Sequence, residues 1–142
     1  MLPEIDGVIS AEQVRSTAGH IAGWQLDSGL IPWYPGGHGD PWNHVEAAMA
    51  LTIADYLTEA ERAYEWLVSN QRDDGSWHQY YVGDRVEHDQ LDANTIAYVA
   101  TGVRHFFAAS DDRGFAEEMW PVVDHAIEFV LQLQQPLSLI HI

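Results

Sequence analysis

Two segments of the sequence combine carboxylates, imidazoles and aromatic rings, the groups from which acid–base sites and apolar or sugar-binding pockets are built. They span residues 33–46 and 78–94. The candidate catalytic carboxylates are Asp40, Glu46, Asp89 and Asp92. The candidate substrate-binding side chains are Trp33, Tyr34, His38, Trp42, His44, Tyr80, Tyr81 and His88. Two carboxylates in different surroundings can divide acid and base work, while aromatic faces stabilise cations and stack on sugars.

Some of these carboxylates also have a purely structural interpretation. Asp40 and Asp92 precede predicted helices, where an aspartate commonly caps the first free N–H groups. Glu46 is the sole charge in the apolar stretch 45–54. A buried carboxylate needs a partner, so we expect Glu46 to be buried and paired with His44 or a loop group.

A metal site is a weaker hypothesis. His38, His44, His88 and Asp89 are candidate ligands, but the sequence has no cysteine and no His-x-x-x-His pair. Zinc sites commonly draw on such groups. We therefore expect no metal site, and the sequence indicates no particular cofactor.

Composition limits the partners and the class of protein. Hydrophobic residues make up 46% of the 142 residues and charged residues 20%, which is enough apolar content for a core. The 22 acidic and 6 basic residues give a formal charge of −16. Phosphate backbones and anionic membranes would be repelled. No basic leader or apolar run of roughly 18 residues is seen, so we expect a cytoplasmic protein acting on a small molecule.

An internal repeat organises the chain. Residues 63–71 and 126–134 share the pattern small-apolar-Glu-aromatic-apolar-apolar-x-x-Gln at an offset of 63. A weaker copy aligns Gln25, Asp27 and Gly29 with Gln71, Asp73 and Gly75 at an offset of 46. The sequence therefore predicts three copies of one unit.

Each unit is predicted to pair an amphipathic helix with a buried one. The amphipathic helices span 11–24, 59–71 and 121–135, with capping boxes at Ser10 and Thr58 and Pro121 in a first turn. Apolar stretches at 45–54 and 96–103 predict helices buried on every side. Alternation of the two kinds predicts an all-α fold, a partial α/α toroid with amphipathic helices outside and buried helices inside. A layered solenoid of helix pairs would give the same pattern.

The loop Gln71-Arg72-Asp73-Asp74-Gly75-Ser76-Trp77 resembles the Gln-x-x-x-Gly-x-Trp repeat of squalene–hopene cyclases and the loops of protein prenyltransferase β subunits. The strings at 31–47 and 115–121 are similar to actinobacterial prenyltransferase-like proteins. The resemblance covers residues 11–136. It implies an isoprenoid-handling transferase or cyclase with an aromatic-lined central cavity. The acid and diphosphate-binding aspartate motifs of those enzymes are absent from the sequence.

Two other functions fit the same residues. Tryptophan and tyrosine platforms beside Asp40, Glu46, Asp89 and Asp92 suit a carbohydrate-active enzyme on the related six-hairpin glycosidase scaffold. The helix pairs also suit a non-catalytic repeat module that binds a ligand or partner.

The predicted third unit is incomplete. After Pro136 the repeat predicts another glycine loop, but residues 137–142 depart from the pattern. We therefore expect a partial toroid domain over 1–136, a non-native tail over 137–142 and a C-terminally truncated chain. Inner helices left uncovered by the truncation would favour self-association.

Overall fold

A computed structural model describes residues 2–134, and this part of the chain is mostly helical. Its five helices are α1 (Ala11–Trp24), α2 (Pro41–Ile53), α3 (Leu57–Asn70), α4 (Ala93–Ser110) and α5 (Arg113–Gln132). Three short strands accompany them: β1 (His38–Gly39), β2 (Tyr80–Val82) and β3 (Arg85–His88). The predicted all-α class is confirmed, with this small sheet as an addition.

The helices form two layers. α2 and α4 pack against each other, α1 and α3 pack on α2, and α5 packs on α4. The interface between the layers carries the main core, whose largest members are fully buried. These are Leu30, Leu51, Tyr64, Trp66, Leu67, Trp77, Ile96, Phe106 and Met119. An inner pair covered by three outer helices is compatible with one side of an α/α toroid.

The inner helices are not buried on every side, so that prediction is wrong for the described residues. Glu46 and Ile53 of α2 are exposed, as are Thr101 and Arg104 of α4. Within residues 2–134 no further helix lies against these faces. The low number of charged residues in α2 and α4 therefore predicted which helices form the inner layer. It did not predict that one face of each helix is exposed.

Three of the predicted helix starts are confirmed. Ser10 and Gln13 form the capping box of α1. Asp40 caps α2, with Pro41 in the first turn, and Asp92 caps α4 through the N–H groups of Asn94 and Thr95. In each case a side-chain oxygen satisfies an N–H group that has no partner within the helix.

Two predicted starts are wrong. α3 begins at Leu57 with Tyr56 at its cap position, so Thr58 lies inside the helix and no side chain caps it. The N–H of Tyr56 is bound to the carbonyl of Leu51 at the end of α2. α5 begins at Arg113, capped by Asp112, so Pro121 lies in the helix interior. The repeat covers only the later part of α5, which is why it misplaced the first turn.

The repeat has a clear structural counterpart in two matching loops. Gln25 Nε2 donates to the carbonyls of Gly29 (3.0 Å) and Glu59 (2.8 Å). Gln71 Nε2 donates in the same way to Gly75 (3.1 Å) and Val122 (2.9 Å). Each glutamine thus joins the end of its own helix to the backbone of the next outer helix.

The loop glycines lie where a side chain does not fit. Gly29 and Gly75 have φ values of +98° and +89°. A Cβ atom on Gly29 would overlap the carbonyl oxygen of Arg62, and one on Gly75 would overlap that of His125. Both carbonyls belong to the next outer helix, so each loop touches that helix backbone directly.

The sheet was not predicted. β2 pairs antiparallel with both β1 and β3, with His38 opposite Val82 and Tyr80 opposite His88. The strands have two to four residues each, too short for an alternating pattern to be recognised. β2 and β3 form a hairpin within the loop between α3 and α4.

No helix within residues 2–134 is long and apolar enough to cross a bilayer. The predicted tail at 137–142 lies outside the described residues, and the domain limits at 1–136 stay a prediction.

The glycine contact can be tested by comparing Gly75→Ala with Gly83→Ala. Both residues have positive φ, but nothing lies within 4 Å of a Cβ on Gly83. Backbone strain alone should lower the free energy of unfolding by about 1 kcal/mol, and the overlap should bring the total for Gly75→Ala to about 3 kcal/mol.

Urea unfolding of the protein that carries these residues measures both values. Equal losses in the two variants would mean that the loop can move off α5 without cost, contrary to the structure.

Candidate functional site

One cleft brings together residues from both candidate segments. It measures about 330 Å³ and lies where α2 and α4 begin. Its lining consists of Trp33, Asp40, Trp42, Asn43, Gln79, Tyr80, Asp92 and Thr95. Two of the four predicted carboxylates and three of the predicted aromatic residues therefore share one surface.

Asp40 is the most firmly held group in this cleft. Its side chain accepts hydrogen bonds from Trp33 Nε1 (2.5 Å), Asn43 Nδ2 (2.7 Å) and the backbone N–H of Asn43 (3.0 Å). The residue is 5% exposed. Three N–H donors fix the carboxylate in one orientation and match its ionised form.

Asp92 lines the same cleft with fewer constraints. Its Oδ1 accepts from the backbone N–H groups of Asn94 (2.8 Å) and Thr95 (3.4 Å). Both bonds use the same oxygen, so capping leaves Oδ2 free to accept from another donor or to carry a proton.

Glu46 and Asp89 are not among the residues that line the cleft. Glu46 is exposed, and its Oε1 accepts from Trp42 Nε1 (3.0 Å) and the Tyr98 hydroxyl (3.4 Å). The prediction that Glu46 is buried and paired with His44 or a loop group is therefore wrong. Asp89 is exposed in the loop between β3 and α4.

A cluster of rings stands beside the carboxylates. Trp33 makes edge contacts with His38 (centroids 4.6 Å apart) and Tyr80 (5.9 Å). Tyr34 contacts His38, and Tyr80 contacts His88. Such geometry is favourable for aromatic pairs. Of these five rings only Trp33 and Tyr80 line the cleft; the other three surround them.

His38 also connects two elements of the sheet. Its Nδ1 lies 3.0 Å from Glu87 Oε2, so the hairpin is joined by a polar contact to the segment that carries Trp33. Both side chains are about one third exposed, where such a pair stabilises weakly. The contact holds the hairpin beside the segment that carries Trp33.

His44 lies in the core and does not line the cleft. Its Nδ1 accepts from the backbone N–H of Ile31 (3.0 Å), so Nε2 carries the proton and donates to the carbonyl of Ala63 (2.8 Å). Burial lowers the pKa of His44 from 6.5 to about 4. The expected contact with substrate is excluded by this position, since the residue is 0% exposed.

Tyr81 is likewise a core residue. It is 3% exposed and packs edge-on against Trp66. Its hydroxyl accepts from the backbone N–H of His78 (3.1 Å), and burial raises the pKa of Tyr81. Its neighbour Tyr80 in β2 is only partly buried and lines the cleft, and the strand register shifts between these two residues.

Three polar cleft residues were missed by sequence reasoning. Asn43, Gln79 and Thr95 line the cleft beside the two aspartates. Asn43 and Thr95 each stand three residues after a predicted cap, the position whose N–H the cap binds. That spacing was the available signal. No sequence signal identified Gln79, because its position depends on the hairpin, which was not predicted.

The described residues contain no metal cluster. Within 2–134 no three His, Cys, Asp or Glu side chains converge on a point that would suit an ion. His38 is paired with Glu87, and His44 has both ring nitrogens engaged in the core.

Comparison with known proteins gives one informative relative. No family model matches the chain. The chain is 50% identical over 135 residues to a Mycolicibacterium hassiacum protein named MMP endo-(1,4)-3-O-methyl-alpha-D-mannosidase. The match covers 95% of this chain and 38% of the relative, so the chain spans well under half of that protein's length.

This relative overturns the assignment to the prenyltransferase and terpenoid-cyclase family, because its name is that of a glycosidase. The isoprenoid function inferred from that resemblance is wrong as well. The structure explains the error: Gln71 and Gly75 contact α5, and Trp77 is buried with its N–H bound to Leu67. The motif serves helix packing and lies outside the cleft.

The buried imidazole predicts a specific pH dependence of stability. The folded-state pKa of His44 lies below its unfolded value, so the unfolded chain binds more protons between pH 6.5 and about 4. Neutral His44 therefore contributes stability above pH 6.5 that is lost as the pH falls toward 4.

Between pH 7 and 5 this loss should be about 2 kcal/mol. His44→Gln removes the titration, so the free energy of unfolding should fall about 2 kcal/mol less in the variant than in the unaltered protein. Denaturant unfolding at both pH values measures this difference. Identical pH dependence in the two proteins would contradict the buried neutral state.

Proposed function

We propose that this chain is part of a glycoside hydrolase that cleaves internal bonds of α-(1,4)-linked 3-O-methyl-D-mannose chains. The observation that carries the proposal is the 50% identity over 95% of the chain to a protein named for that reaction. Because the aligned part is 38% of the relative, the activity is assigned to the protein that contains these residues.

The cleft supports a carbohydrate substrate on chemical grounds. It combines carboxylates, amides and a hydroxyl with the rings of Trp33, Trp42 and Tyr80. Sugars present hydroxyl groups around the ring edge and C–H groups on the ring faces, so they need both polar partners and aromatic platforms. An open cleft also admits the middle of a polymer, which cleavage of internal bonds requires.

The reaction needs two carboxyl roles. The bond between the anomeric carbon and the glycosidic oxygen breaks. One carboxyl group gives its proton to that oxygen, while water adds its hydroxyl to the anomeric carbon and gives its remaining proton to the other carboxylate. Asp40, surrounded by N–H donors, suits the ionised role of base. Asp92, with Oδ2 outside its cap bonds, is the candidate for the acid.

We also assign the remaining predicted residues by position. Trp33, Trp42 and Tyr80 would contact the sugar, while Tyr34, His38 and His88 would hold those rings in place. The exposed inner faces of α2 and α4 suit contact with further helix pairs of a complete toroid, the domain organisation proposed for residues 1–136.

The activity is tested by incubating the protein with α-(1,4)-linked 3-O-methylmannose oligosaccharides and following the products by mass spectrometry. Cleavage of internal bonds, giving a ladder of shorter oligosaccharides from early times, is expected. Release of single sugars from one end would contradict the endo assignment, and intact oligosaccharides would contradict the hydrolase assignment.

The carboxylate roles are tested by Asp40→Asn and Asp92→Asn. Asparagine keeps a capping oxygen at both positions, but in Asp40→Asn its NH2 group replaces the oxygen that accepts from Trp33 and Asn43, so circular dichroism must first show that each variant is folded. Each should lose about a hundredfold or more in kcat, because acid–base catalysis contributes that much. Asp73→Asn, an exposed change outside the cleft, is the matched control and should keep its rate. Full activity in either cleft variant would remove that aspartate from the mechanism.

A further inference from the structure

Both tryptophans of the cleft have their N–H group bound by a carboxylate. Trp33 donates to Asp40 (2.5 Å) and Trp42 donates to Glu46 (3.0 Å). An indole has no other hydrogen-bond donor. Neither ring can therefore donate to a sugar hydroxyl, and both present carbon surface to the cleft.

Trp42 is further restricted by a stacked neighbour. The rings of Trp42 and Tyr98 are parallel within 2°, with centroids 4.4 Å apart. The Tyr98 hydroxyl lies 3.4 Å from the same Glu46 oxygen that binds Trp42. One indole face and the N–H are thus occupied, and what Trp42 offers the cleft is its second face and its carbon edge.

The contact between Glu46, Trp42 and Tyr98 joins the two inner helices. Trp42 and Glu46 are one turn apart on α2, and Tyr98 belongs to α4. A ring held by a stack on one side and a hydrogen bond at its edge loses little freedom when a ligand binds, so its contact energy is largely retained.

We propose that Trp42 is a specificity-determining residue that recognises the O-methyl group of the substrate, and that Glu46 is a positioning residue which holds its ring. This inference rests on the proposed function. A methyl ether oxygen cannot donate a hydrogen bond, and its methyl group is favoured against apolar surface. A free hydroxyl at the same place would lose its hydrogen bonds to water. Trp42 could not replace them, because its N–H group is already bound to Glu46.

The size of the preference follows from the single methyl group. One such group in an apolar site changes kcat/KM by about ten- to two-hundredfold. We expect the unaltered protein to prefer α-(1,4)-linked 3-O-methylmannose over unmethylated α-(1,4)-linked mannose oligosaccharides of equal length by about tenfold or more.

The decisive variant is Trp42→Ala. The preference should fall to about a third or less of its original value, through a higher KM for the methylated oligosaccharide, because the contact is present before and during the reaction. Trp120→Ala on α5 is the matched control, since Trp120 is 66% exposed and is not among the residues that line the cleft. The control should keep the original ratio of kcat/KM values.

Two variants of Glu46 distinguish a positioning role of this residue from a catalytic one. In Glu46→Gln an amide oxygen can still accept from Trp42, so the methyl preference should be kept; in Glu46→Leu no acceptor is present and the preference should fall as in Trp42→Ala. These two variants also test the proposal if Trp42→Ala does not fold, because both retain Trp42. A hundredfold loss of kcat in Glu46→Gln with unchanged KM would overturn the positioning role, because it would indicate a catalytic carboxylate.

The remaining outcomes separate this inference from the proposed function. If the unaltered protein cleaves neither oligosaccharide, the proposed function is wrong and the inference falls with it. If the unaltered protein cleaves both equally well, or if Trp42→Ala and Glu46→Leu keep the methyl preference, the hydrolase assignment stands and the inference is overturned.

Discussion

The arrangement of this chain depends on two side-chain amides that bind the backbone of the next outer helix. Gln25 at the end of α1 reaches Glu59 of α3, and Gln71 at the end of α3 reaches Val122 of α5. A glycine four residues later lies directly on the same helix. Each amide NH2 group donates both to the carbonyl of its own loop glycine and to the next outer helix, so each loop is held at one distance and the chain then turns inward.

That inward turn determines where the cleft forms. Each glycine loop leads to an aspartate that begins an inner helix, and because α2 and α4 lie side by side, both aspartates line one cleft. The second connection is longer than the first, and its extra length forms the hairpin that contributes Tyr80. His44 supports the first turn from the core, where it bridges Ile31 and Ala63.

The parts that sequence predicted are those determined by local spacing. The caps at Ser10, Asp40 and Asp92 depend on residues a few positions apart and are confirmed, and the glutamine and glycine related by the offset of 46 make the same contacts in both loops. The burial of Glu46 depends on what packs beside α2, which no local pattern contains. The family was misjudged for a related reason: the Gln-x-x-x-Gly-x-Trp loop reports how outer helices pack, and that packing is independent of the reaction.

The sequence allows Asp40 to be either a helix cap or a reactive carboxylate. The two roles are compatible, because the capping side chain also lines the cleft. The cap bond from Asn43 fixes the carboxylate at the start of α2, where the helix dipole favours a negative charge. The same anchoring brings its second oxygen to Trp33 at the cleft wall. A carboxylate held this way loses little freedom in any reaction at that surface. Stability of the inner helix and the fixed orientation of this carboxylate therefore depend on the same hydrogen bonds.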